Sequence, residues 1–337
     1  MSLTDHLTRY LPRIEDEMKA LLDVDGELAR HYGMMGYHLG WLDEQLSPDQ
    51  EIQGKRLRPV LCLLSCEAVG GEVEHALPAA AAVELIHNFS LIHDDIEDGS
   101  EVRRHRPTVW KLWGQPQAIN VGDGMYAAAY VELSRLVERG VPAERSMRAM
   151  RTLSATCLAL TEGQYLDMAF EQQPEVELES YLQMIRGKSA ALIACATELG
   201  ALLGGAEPAV VAAYRAFGEN LGMAFQVIDD ILGVWGAEDE TGKSALSDIV
   251  TRKKTLPIVY GMRDPALQAL YGQEEVGARD VPRVVEILER CGARAYAEQT
   301  AEAYSVQALS HLEETGLDTA AHRAIGQLAG WLLGRTF

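Results

Sequence analysis

Apolar positions recur at helical spacing along almost the whole chain, and Ala and Leu fill most of them. Runs of Val and Ile sit inside these longer patterns, so strand signals are nearly absent. The first two predicted helices cover 5–22 and 27–46. A turn, SPDQEIQGKRLRP, follows; its Pro59 suits the first turn of a helix reaching Val69, which Gly70-Gly71 ends. Pro78 is read as the opening of the next helix. After the loop RRHRPT comes a short segment at Val109–Trp113, then helices at 116–138, 144–170, 177–204 and 208–234. A glycine-rich loop leads to helices near 254–262, 281–290, 293–314 and 318–334. No low-complexity linker divides the chain. The expectation is one all-α domain spanning residues 1–337.

One helix ends in LIHDDIEDGSEVRR (91–104), with apolar Val83, Ile86, Phe89 and Ile96 near helical spacing. Gly99 is a natural stop. Asp94 and Asp98 are four apart and share a face. Carboxylates in a last turn meet the negative end of the helix dipole, at about 0.3–1 kcal/mol each. A cation there removes the conflict, and carboxylate oxygens suit magnesium, which also keeps waters and a substrate phosphate. Arg103 and Arg104 follow as phosphate ligands would. The bland alternative is a solvated acidic helix end before a basic loop.

A second stretch, AFQVIDDILG (224–233), echoes the first with Asp229 and Asp230 on a helix too apolar for the surface. Two such helices would face each other across a central cavity holding several cations. Several magnesium ions imply a charge-dense ligand such as a diphosphate. Basic groups cluster nearby in sequence: Lys55, Arg56 and Arg58 before a helix start, Lys188 in RGKS, Lys243 after the second acidic pair, and Lys253-Lys254 beyond it. Lys188 either snorkels to the surface or points into a cavity. GK at 242–243 is no P-loop, because the spacing and a preceding strand are missing. His87 taken alone reads as an ordinary helix histidine.

Composition narrows the picture. With 337 residues, 47% of them apolar, the chain can bury a large core. A net charge of −20 leaves no basic field for nucleic acid, so any basic patch must be local and aimed at a small anion. The amphipathic N-terminus is neither a signal peptide nor a membrane span. The five cysteines are scattered without zinc spacing, which points to core thiols in a reducing cytoplasm.

Together, GKRLRP (54–59), HNFSLIHDDIEDGSEVRRHRPT (87–108), EGQYLDM (162–168), GKS (187–189), FQVIDD (225–230) and GKSALSDIVTRKKTLP (242–257) resemble the polyprenyl synthetase family of trans-isoprenyl diphosphate synthases. The resemblance covers nearly the whole chain. It implies the isoprenoid synthase fold, and a magnesium-dependent head-to-tail condensation of isopentenyl diphosphate with an allylic diphosphate. It implies three magnesium ions per active site, held by Asp94 and Asp98, with Asp95 in support, and by Asp229, with Asp230 nearby. Lys55, Arg58, His87 and Arg104 match the pocket for the isopentenyl diphosphate. Arg103, Lys188, Gln226, Lys243 and Lys253 match the contacts to the allylic diphosphate. Ser189 stands where many relatives carry Thr and would steady the developing cation. The family is usually homodimeric, which makes the helices near 116–138 and 144–170 the expected interface.

Two positions depart from the pattern. Gly233 replaces a third Asp in the second motif, and His105 stands where relatives have Gly. Phe89 followed by small Ser90 resembles a floor for medium short chains, favouring a C20 product, geranylgeranyl diphosphate, over C15 farnesyl diphosphate. Met125, Tyr126 and Leu160 are further candidates for that floor. A class I terpene cyclase would lack the Lys55/Arg58 site and the FQVIDD helix. A non-catalytic subunit of a heteromeric synthase would usually have lost one acidic motif.

Overall fold

The computed structural model describes residues 2–49, 54–236, 247–273 and 276–334. Among these the helices are α1 (Leu3–Leu22), α2 (Ala29–Leu39), α3 (Leu57–Ala68), α4 (Val73–Glu97), α5 (Val109–Trp113), α6 (Gln115–Ser134) and α7 (Ala143–Glu171). Then come α8 (Leu178–Ile185), α9 (Ala191–Leu203), α10 (Pro208–Trp235), α11 (Ser247–Val250), α12 (Leu256–Gly261), α13 (Pro265–Tyr271), α14 (Val281–Arg290), α15 (Ala293–Glu314) and α16 (Ala320–Leu333). Two short strands, β1 (Val102–Arg103) and β2 (Arg106–Pro107), form an antiparallel hairpin.

Several boundaries differ from the periodicity. Gly40 adopts φ +84°, so the second helix stops at Leu39 instead of reaching 46. The helix carrying the first acidic motif starts at Val73, and Pro78 lies inside it. Pro78 forfeits only the bond to the Glu74 carbonyl, near the helix start, while every residue from Ala76 to Ile86 is buried. The 177–204 helix is broken by a π-turn at Arg186–Ala190. α10 continues to Trp235, so the second acidic pair lies more than a turn before the helix end.

The chain divides into two compact units. One comprises Met1–Ser154, Cys195–Val211 and Leu317–Ile325; the other comprises Ala155–Ala194, Ala212–Gly316 and Gly326–Phe337. In the first, α4 is the central element and packs on α1, α3 and α6. A helix buried all round belongs in a core, and each fully buried Leu or Ile contributes about 1.5–3 kcal/mol. Cys62 and Cys66 are core thiols on α3. In the second unit, α12 packs on α8 and α15, and Tyr181, Met223, Val227, Ile231, Leu256 and Ala297 share one apolar cluster.

Candidate active site

In the first unit the acidic motif closes α4. Asp98 is the C-cap in right-handed geometry, its N–H 2.8 Å from the Asp94 carbonyl oxygen, so both residues stay on the helical face the spacing implied. Asp94 is half-buried and Asp98 exposed, whereas Asp95 is buried. Arg103 Nε donates to Asp95 Oδ1 at 2.8 Å, and Asp95 Oδ2 is enclosed without a hydrogen-bond partner. Burial pushes the Asp95 carboxyl up to about 6, against the pull of Arg103. The adjacent carboxylates are thus separated in role: Asp94 lies nearer to water, and Asp95 anchors the hairpin.

That hairpin turns on two consecutive left-handed residues, Arg104 (φ 51°) and His105 (φ 61°), the geometry of a type I′ turn. It returns Arg103 to Asp95 and places Arg104 against Gly54, where a Cβ would meet its guanidinium nitrogens at 3.2 Å. Burial, then neighbouring Arg56, lower the proton affinity of the Arg104 guanidinium, which stays charged. Arg56 itself is fully engaged: Nε donates to Glu15 at 2.7 Å, and the two terminal nitrogens donate to Glu84 at 2.8 Å and to the Leu39 carbonyl at 2.9 Å. It is a structural tie, while Lys55 beside it is exposed. Arg58 donates to His87 Nε2 at 3.3 Å, and its Nε is enclosed without a partner. Burial, then Arg58 and Arg104, hold the His87 ring well below its usual range, so it is neutral. Arg58 and Arg104 both act on the neutral His87 ring, and Arg104 also meets the like charges of Arg56 and Arg103.

Upstream on α4, the Phe89 ring lies 4.8 Å from His93 and 5.2 Å from Tyr126, edge-on in both cases. Ser90 Oγ donates to the His87 carbonyl at 2.8 Å. Met125 is fully buried in the first unit, and Leu160 is buried in the second.

In the second unit the two motif aspartates again diverge. Asp229 is exposed and Asp230 buried. Tyr181 O–H donates to Asp230 Oδ2, the Leu256 N–H donates to the same oxygen at 2.9 Å, and Gln226 Nε2 donates to Oδ1 at 3.0 Å. Burial still pushes the carboxyl up to about 7, the three donors opposing it. Gln226 Oε1 in turn accepts from Ser189 Oγ at 2.6 Å. The π-turn at 186–190 carries Lys188, whose Nζ donates to Asp167 Oδ2 at 2.5 Å. π-turns inside helices are frequent at functional sites. Gly163 and Gly187 let the backbones of α7 and the π-turn touch; a Cβ on Gly163 would meet Lys188 N at 2.2 Å. Lys253 is exposed, and Lys243 lies outside the described residues.

The structure therefore pairs Arg58 with His87, Arg103 with Asp95, Lys188 with Asp167, and Ser189 with Gln226, which in turn donates to Asp230. It adds Tyr181, which no motif marked, and Asp167, which lies inside EGQYLDM. Among the described residues no three His, Cys, Asp or Glu side chains converge as a preformed metal site. Asp94, Asp98 and Asp229 still fit magnesium: they are oxygen donors facing water, and that ion takes few protein ligands alongside waters and phosphate.

Residues 40–288 match the family Polyprenyl synthetase. The chain belongs to this family. It is 38% identical over 311 residues to the (2E,6E)-farnesyl diphosphate synthase of Mycobacterium tuberculosis, covering 90% of this chain and 85% of that protein. It is 42% identical over 275 residues to a geranylgeranyl diphosphate synthase of the same organism, covering 80% and 77%. A crystal structure of a polyprenyl synthetase from Streptomyces coelicolor A3(2) matches with a TM-score of 0.89 at 34% identity, over 98% of this chain and 100% of that one. The fold is the all-α isoprenoid synthase fold, and the chain is a prenyltransferase. No described helix is long and apolar enough to cross a membrane.

Proposed function

We propose that this prenyltransferase condenses isopentenyl diphosphate head-to-tail with an allylic diphosphate, with magnesium, to a short-chain trans-prenyl diphosphate. The observation that carries the reading is the enclosed cation-rich cluster of Arg58, neutral His87 and Arg104, a few turns from an acidic helix end. An anion of high charge offsets the repulsion that Arg56 and Arg103 exert on Arg104, and a diphosphate is the anion that the relatives' names carry. Relatives named for C15 and for C20 products both match the chain.

Lys55, Arg58, His87 and Arg104 hold the isopentenyl diphosphate by charge-assisted hydrogen bonds. Arg103, Lys188, Lys243, Lys253 and Gln226 hold the allylic diphosphate and oppose its growing negative charge as the C–O bond breaks. Magnesium, held by Asp94, Asp98 and Asp229, supplies further neutralisation of that leaving group when bound, with three ions per site. Ser189 donates its proton to Gln226, which leaves its oxygen lone pairs for the allylic cation. Asp230 orients Gln226. The double bond of isopentenyl diphosphate attacks the cation, and the released diphosphate takes the proton lost from the new chain. The mechanism requires that water be kept from the cation.

Phe89, backed by His93 and Tyr126, is read as a bulky wall with small Ser90 beside it, which favours C20 over C15. The chain is read as one domain, 1–337. A homodimer is supported by exposed apolar side chains on the expected interface helices: Ile119, Tyr126 and Val131 on α6, and Met147, Leu158 and Tyr165 on α7. The same reading puts the enzyme in the cytoplasm, where thiols such as Cys62 and Cys66 stay reduced.

Incubating the purified protein with isopentenyl diphosphate, magnesium and in turn dimethylallyl, geranyl or farnesyl diphosphate tests this, with products identified by mass. A C20 product lost on adding chelator is expected. A product stopping at C15 moves the floor nearer the acidic motif. No condensation with any primer, in folded protein, refutes the synthase and favours a partner subunit or a cyclase.

A further inference from the structure

His38 lies one residue before the end of α2 and 17 residues before Lys55 in the sequence, outside every motif. Its ring lines a small cleft with Tyr37, Asp95, Arg103, Arg104 and Arg106. The Nε2 atom is enclosed and has no hydrogen-bond partner. Two of the three arginines are already engaged: Arg103 on Asp95, and Arg106 on the Leu42 carbonyl at 2.6 Å while stacked over the Tyr37 ring. Arg104 is the third, its guanidinium lying against Gly54.

Burial and the fields of Arg104, Arg103, Arg56 and Arg106 keep the His38 ring neutral, so one ring nitrogen is a donor and the other an acceptor. His38 is also among the groups acting on His87. The ring shares its cleft with Arg104, although nothing in the sequence links the two. An enclosed polar atom left unpaired costs on the order of 1–3 kcal/mol unless something supplies a partner. Asp95 Oδ2 is the other enclosed, unpartnered atom of the cleft, beside the Oδ1 that accepts from Arg103.

We propose that His38 is a further substrate-binding residue, whose Nε2–H donates to a diphosphate oxygen of isopentenyl diphosphate held by Arg104. This rests on the synthase reading above. It makes α2 a wall of the isopentenyl site and predicts a selective effect on one of the two substrates.

His38→Phe keeps the ring bulk and removes both nitrogens; His38→Gln puts an amide N–H near the position of Nε2. His38→Phe is expected to raise KM for isopentenyl diphosphate about tenfold, the loss of one hydrogen bond to a charged group. The allylic KM and kcat stay within about twofold, and His38→Gln recovers most of the loss. In the wild type, the His38 ring 15N resonances, assigned by their absence in His38→Gln, are expected to shift saturably with inorganic diphosphate. An unchanged isopentenyl KM in His38→Phe overturns the proposal, and points to a water bridging His38 and Asp95. An allylic KM that moves equally overturns it too, since that marks general damage to the site. If His38→Phe does not fold, the wild-type titration decides, and resonances indifferent to saturating diphosphate refute the contact. Wild-type protein that neither condenses nor binds diphosphate removes the synthase reading and this proposal together. Normal condensation with an indifferent His38→Phe removes this proposal alone.

Discussion

At the scale of single residues, each acidic pair divides its labour by orientation. In DD at 94–95 and again at 229–230, the first carboxylate lies nearer to water and the second is buried among donors. Asp230 holds three of them, from α8, from within α10 and from the segment entering α12. Tyr181→Phe removes one donor without changing shape. It is expected to cost about 1–3 kcal/mol in urea unfolding and to lower kcat more than either KM, because Gln226 and Ser189 lose their fixed orientation. The hairpin carries a second residue-scale test. His105 is exposed and left-handed, a conformation costing a non-glycine residue about 1–2 kcal/mol. His105→Gly is expected to stabilise the protein by about 0.5–1 kcal/mol, part of the relief being lost to glycine's unfolded entropy, read as a higher urea midpoint at constant slope. The departure at 105 was visible in the sequence; its cost was not, because only the paired strands require a type I′ turn.

At the scale of elements, helix contacts decide what motifs do. Lys188 had two readings on its own helix, surface or cavity. The π-turn and the Gly163–Gly187 crossing bring it to Asp167 of α7 instead. Gly163→Ala is expected to separate these backbones, destabilising the protein by more than about 2 kcal/mol and raising KM for the allylic substrate; an unchanged melting curve would count against the crossing. Where α1 meets α6, Glu132 is fully buried beside Glu17, with Arg135 donating at 2.9 Å. Burial and the neighbouring Glu17 push its carboxyl up to about 7 from 4.5. The folded value exceeds the unfolded one. Stability contributed by the neutral form is therefore complete below about pH 4.5 and is lost as pH rises through about 7. Glu132→Gln keeps the neutral form at all pH. It is expected to be more stable than wild type by about 1–2 kcal/mol at pH 8, the gap closing by pH 5 in paired thermal melts.

At the scale of the whole molecule, the exposed Leu158 and Tyr165 lie seven residues apart on one face of α7. Replacing both with Glu is expected to shift sedimentation from dimer to monomer while helicity by circular dichroism is retained; a wild type that sediments as a monomer would refute the dimer. The sequence by itself determined the all-α class, the family and the positions of both acidic motifs. Helical periodicity and local ligand spacing are properties of neighbours along the chain. It also placed the helix bounds well for α7 and α10, where apolar faces are long and uninterrupted. Only the tertiary structure decided which carboxylate of each pair is buried, that Arg56 is tied to Glu15 and Glu84, and that Tyr181 reaches Asp230. Those outcomes depend on partners far away in sequence, such as Glu15 and Glu84 for Arg56 or Tyr181 and Leu256 for Asp230. A polar atom's role is set by whether packing brings it a partner or leaves it one short, and periodicity carries no record of that.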